Sequence, residues 1–178
     1  PFTGEYDGNQ HIIEGLTINR PSESNVGFFG YVSGPGAVGS RFIKYLWLKD
    51  VDITGDARVG GMAGYFHPAQ SALIQKSVVT GDIKANDKAG AFVGSFMLDY
   101  VPGPSSLIDD CYAIGSVTRI SGSTGTDFGG FCGKTDAKIF DSYSAVSVNE
   151  ADGVTWSSGD KGFIGNDISG AYSSLFFD

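Results

Sequence analysis

Gly130-Phe131-Cys132-Gly133, followed by Ile139 and then Tyr143, is one copy of a unit that recurs along the chain. The bracketed apolar pair also reads Gly27-Phe28-Phe29-Gly30, Gly61-Met62-Ala63-Gly64, Ala91-Phe92-Val93-Gly94 and Gly162-Phe163-Ile164-Gly165. The closing glycine returns after 34, 30, 39 and 32 residues. A second landmark follows each bracket: Ile43 to Asp52, Ile74 to Ile83, Ile108 to Val117, Ile139 to Val148 and Ile168 to Phe177. Four places after each isoleucine stands an aromatic or branched residue: Trp47, Val78, Tyr112, Tyr143, Tyr172. Two landmarks that keep one register over five units are the mark of a repeat architecture.

The unit has no helical period and is bounded by turn residues, so it predicts short strands. A coil of about three strands fits its length: the glycine bracket, the isoleucine-led stretch, and a tail such as Gly81 to Lys84 or Gly115 to Thr118. The expected fold is all-β, a parallel β-helix or β-solenoid of five to six stacked coils, right-handed as such connections usually are. A propeller is disfavoured, because its blades need longer units with four strands each. Equivalent residues then lie about 4.8 Å apart in neighbouring coils. Phe28, Met62, Phe92, Phe131 and Phe163 form one expected column, and Ile43, Ile74, Ile108, Ile139 and Ile168 a second. Residues 1–24 do not match the unit and read as a divergent first coil or cap; residues 25–178 are the repeats, together one domain. Absence of a starting methionine and an apolar end at Leu175-Phe176-Phe177 fit a piece of a longer array.

Composition supports this. The chain has 178 residues, 41% of them apolar, so it has the material for a core. Its 27 glycines lack a Gly-X-Y period, which excludes collagen. With 12 basic and 20 acidic residues, the net charge is −8. That argues against nucleic acid and against anionic membrane surfaces as partners. No run is apolar and long enough to insert in a membrane.

The opening Pro1-Phe2-Thr3-Gly4-Glu5-Tyr6-Asp7-Gly8-Asn9-Gln10-His11-Ile12-Ile13 resembles the leading coil of GLUG-repeat proteins. Gly61-Met62-Ala63-Gly64 and Gly130-Phe131-Cys132-Gly133 resemble the Gly-Leu-Val-Gly core of that motif, and Ile108 to Val117 its continuation. Val26 and Lys161 depart from it by replacing the leading glycine in the first and last repeats. The resemblance implies a bacterial or archaeal secreted or surface protein, such as an adhesin-like chain or an accessory region of IgA-cleaving M26-type peptidases. In those chains the repeats are β-helical and not catalytic.

Candidate sites are sparse. His11 and His67 lack zinc-ligand spacing. Asp110 and Asp141 fall at equivalent places in adjacent coils, where paired carboxylates serve a glycosidase, and Asp109 nearby adds an oxygen ligand for calcium. The plainer reading is that Asp suits a turn there, with Lys76 at the equivalent place to neutralise the pair. Trp47, Tyr112, Tyr143 and Tyr172 make an aromatic strip whose facing the period does not fix; packing is the favoured role. Cys111 and Cys132 lie in different coils and read as buried thiols.

The expected function is a non-catalytic extracellular or cell-surface module: a stalk, a spacer, or an adhesive surface for a host or environmental glycan or protein. Tyr100 and Trp156 on corner loops are the first binding candidates, with Tyr112 and Tyr143 behind them. Two alternatives stand beside it. One is a polysaccharide-processing region using Asp110 and Asp141; the other is a self-assembling fibre or surface-layer subunit that stacks end to end. No cofactor is expected, calcium being the one candidate.

Overall fold

The computed structural model describes residues 1–33, 41–68, 72–98, 106–150, 162–168, 172–173 and 175–177. Among them every regular element is a β-strand, and every strand pairing is parallel. The strands stack as a β-solenoid of about four turns. Each turn has four strands rather than three, so the stack has four walls.

Wall 1 holds Tyr6–Asp7, Arg41–Lys44, Ala72–Gln75, Leu107–Asp109, Lys138–Phe140 and Tyr172–Ser173. Wall 2 holds Ile12–Glu14 with Thr17–Asn19, then Trp47–Thr54, Val78–Ala85, Tyr112–Arg119, Tyr143–Glu150 and Phe176–Phe177. Wall 3 is short: Ala57–Gly60, Asp87–Gly90 and Phe128–Gly129, with Val26 bridged to Val59. Wall 4 holds Phe29–Val32, Ala63–Phe66, Val93–Phe96, Cys132–Thr135 and Ile164–Asp167.

The fourth strand arises because both sequence landmarks are corners. The isoleucine-led stretch bends after its third or fourth residue, where Tyr45, Lys76, Asp110 and Asp141 all take left-handed backbone angles. Its tail is the second half of the wall 2 strand. The glycine bracket is likewise the bend between walls 3 and 4: the wall 3 strand ends at the residue just before it, and its closing glycine lies inside the wall 4 strand. A side chain at Gly94 would run into the backbone of Arg58 and Val59 in the preceding coil, so the bracket keeps that residue bare.

The bracket side chains turn inward. Met62, Phe92 and Phe131 are fully buried, and Phe163 nearly so. Phe92 stacks on Phe131 at 4.7 Å and Phe131 on Phe163 at 4.8 Å, which is the coil spacing. Phe28 heads this column, half-buried and edge-on to Phe29. On wall 1, Ile43, Ile74, Ile108 and Ile139 pair in register and are buried. Tyr6 precedes Ile43 in this row, so residues of the divergent opening join the first coil.

Ile168 is a correction. The residue paired with Ile139 is Tyr172, and Ile168 is 52% exposed, its N–H bonded to the Thr135 carbonyl. The wall 4 strand runs on to Asp167, so Ile168 arrives before the chain has reached the corner. The second landmark slips with it: Phe176, not Tyr172, pairs with Tyr143.

Candidate binding surface

Wall 2 positions the most exposed apolar side chains. Its strands alternate, because successive residues point to opposite faces. Leu48, Val79, Ala113 and Ser144 point inward and are buried. The residues just before them, Trp47, Val78, Tyr112 and Tyr143, therefore point outward, with Ile12 one coil earlier in the same row. Ile12 is 53% exposed, Trp47 40% and Tyr112 43%. Ile114, two residues on from Tyr112, adds a fourth exposed apolar group at 45%. Trp47, Tyr112 and Tyr143 of the aromatic strip thus face outward, while Tyr172 pairs on wall 1 with Ile139.

Polar rungs cross the rest of the outer wall 2 face. Lys49 Nζ donates to Glu14 Oε1 at 2.8 Å, which holds the lysine above its usual pKa. Lys84 Nζ donates to Asp52 Oδ1 at 3.3 Å, and Ser116 Oγ to Asp82 Oδ1 at 2.6 Å. Asp50 is the extra residue of a bulge opposite Thr80; its N–H donates to Thr80 Oγ1 at 2.9 Å. The two strand runs left after the bulge realign at Val51 and Gly81.

The corner between walls 1 and 2 carries the remaining candidates. Asp110 and Asp141 sit at φ 54° and 45°. Asp tolerates this region better than most residues, and Lys76 and Tyr45 fill the same place in earlier coils. The corner therefore accounts for both aspartates as turn residues. Asp109 Oδ2 accepts a 3.0 Å bond from Gln75 Nε2. One residue on, Ser77 Oγ donates to the Gln75 carbonyl at 2.8 Å and accepts from Leu46 N–H at 3.3 Å. Ser142 repeats this with the Phe140 carbonyl and Cys111 N–H. Cys111 takes the serine's place between them, its Sγ donating to the Asp109 carbonyl at 3.2 Å. Cys111 and Cys132 are both free and buried; desolvation pushes both thiols up, Cys132 to about 12.

Wall 4 carries a second outward group that the sequence reading did not single out. Tyr31 stacks on Tyr65 at 5.2 Å and Tyr65 on His67 at 5.0 Å, with the Arg58 guanidinium 4.9 Å from the Tyr65 ring. Tyr31 Oη lies 3.4 Å from His67 Nδ1. The Tyr31–Tyr65 register was legible as the residue directly after each closing glycine. His11 is exposed on a turn before wall 2. Tyr100 and Trp156 lie outside the described residues. Among the described residues no three His, Cys, Asp or Glu side chains cluster as metal ligands, and no helix is long and apolar enough to cross a membrane.

No family model matches the chain, and no solved structure matches it. A curated relative is Halomucin of Haloquadratum walsbyi, 30% identical over 105 residues, which is 59% of this chain. The chain spans about 1% of that protein's length.

Proposed function

We propose that the chain is a non-catalytic structural repeat module of an extracellular, cell-surface protein, a stalk or spacer whose outer wall 2 face is adhesive. The observation that carries this is the division of labour between faces. Inward rows close the core, whereas Ile12, Trp47, Tyr112 and Ile114 stay exposed in one patch. A buried column explains its residues by packing; an exposed apolar patch calls for a partner. The GLUG-like residues, the acidic surface and the likeness to one short part of a very long protein named as a mucin all support a surface setting. The turn chemistry at Asp110 and Asp141 supports the non-catalytic part.

Antibodies raised against the chain test the setting. They are expected to label intact cells of the source organism, with the label lost on treatment with external protease. Label seen only after permeabilisation would overturn the reading. Incubation of the protein with neutral and acidic polysaccharides is expected to release no reducing ends and no unsaturated products. Release that Asp110→Asn abolishes would replace this function with a catalytic one.

A further inference from the structure

We infer that the outward wall 2 row binds an extended, uncharged, β-linked polysaccharide lying along the stack, with Trp47 and Tyr112 as its two stacking platforms. This rests on the surface-module reading above and names the ligand class for it.

The narrow shape and modest area of the apolar patch favour a single polymer strand over a protein partner. Four side chains less than half to about half exposed offer on the order of 100 Å² each, roughly 400 Å² in all. A standard protein interface needs about 800 Å² from each partner. The patch is also narrow: Ile12, Trp47, Val78, Tyr112 and Tyr143 follow one another coil by coil, with Ile114 beside the row two residues on from Tyr112. A second copy of this chain would leave most of such an interface unfilled. A single polymer strand fits it.

Charge selects among polymers. Glu14, Asp50, Asp110 and Asp141 border the row against two lysines, Lys49 and Lys76, and Lys49 is already bonded to Glu14. An anionic polymer meets repulsion there, in keeping with the net charge of −8. A neutral sugar chain meets acceptors instead: its hydroxyls donate to the carboxylate oxygens beside the row. The C–H faces of a pyranose supply what an aromatic ring takes, apolar area with a faintly positive rim.

Spacing sets the orientation. Val78 stands between Trp47 and Tyr112, so the two platforms are two coils, about 10 Å, apart. In an extended β-linked chain alternate sugars present the same face. Trp47 and Tyr112 would each meet one such sugar, the smaller Val78 lying under the residue between. Tyr143 follows Tyr112 directly and extends the contact.

The test is affinity electrophoresis of the intact chain through gels containing hydroxyethylcellulose or polygalacturonate. Retardation is expected in the neutral gel alone. Trp47→Ala and Tyr112→Ala, each with a parental circular-dichroism spectrum, are expected to bind about tenfold more weakly. Tyr65→Ala, on wall 4, should bind as the parent does. No retardation in the neutral gel, retardation in the polygalacturonate gel, or full binding by both wall 2 variants would each overturn the proposal. Surface labelling of intact cells is read separately. Labelling without binding removes the glycan site alone, and binding without labelling removes the surface setting alone.

Discussion

Cys132 fills a place in the inner wall 4 row, between Val93 and Ile164, with its thiol fully buried. Burial penalises the thiolate, so the folded pKa, about 12, stands above the unfolded value of about 8.5. The unfolded chain then loses its proton first as pH rises. Stability from this group is complete below about pH 8.5 and falls as pH climbs toward 12. Thermal melts between pH 7 and 11 are expected to show a decline above pH 9 that is shallower in Cys132→Ala. Native protein should also resist alkylation at pH 8.5 and take up label at both cysteines in guanidinium chloride. Equal slopes and rapid native labelling would show that the thiol is not sealed in the core. Cys132 as a buried thiol was readable from sequence, since it replaces apolar residues at its place in the bracket. Cys111 was less so: only the hydrogen bonds show it standing in for a corner serine.

Individual strands show where repeat reading succeeds and where it slips. The interior copies, Ile43 through Ile139, keep register because the corner after each bracket has room to vary while the bend itself is fixed by a left-handed residue. In the last copy only two residues separate Gly165 from Ile168, and the wall 4 strand uses both. The tightest interior spacing, Gly133 to Ile139, already leaves five residues for the strand and corner. That arithmetic was present in the sequence; matching residue type alone outweighed it. The fourth strand per coil was harder to see, because a bend inside an apolar run changes no residue type. The two isoleucines separate these accounts. Ile108→Asp places a charge in a fully buried row and is expected to cost more than about 4 kcal/mol, leaving the middle coils unfolded. Ile168→Asp, on an exposed residue, should stay within about 0.5 kcal/mol. A chemical-denaturation series in which both changes cost the same would contradict the register.

Across the whole molecule, the stack converts sequence period into two kinds of surface. Inward rows are continuous from coil to coil, and one coil alone has too few such contacts to be stable, so stability is shared between neighbours. Outward rows inherit the same spacing without the same need, which leaves wall 2 free to line up Ile12, Trp47 and Tyr112. The facing of that row was the part the sequence left open. Both the strip and its neighbours carry apolar residues, so alternation along one strand gives two equally apolar choices. Closure of the coil settles it: Leu48 and Val79 are needed against Ile53, Ile83 and the bracket column, and the aromatic residues beside them are turned outward. The most direct test uses the fluorescence of Trp47 in a Trp156→Phe protein, where Trp47 is the single indole. Acrylamide is expected to quench it readily, and hydroxyethylcellulose to shift its emission to shorter wavelength and slow the quenching. Emission already blue and protected from acrylamide in the free protein would contradict the outward row on which the function rests.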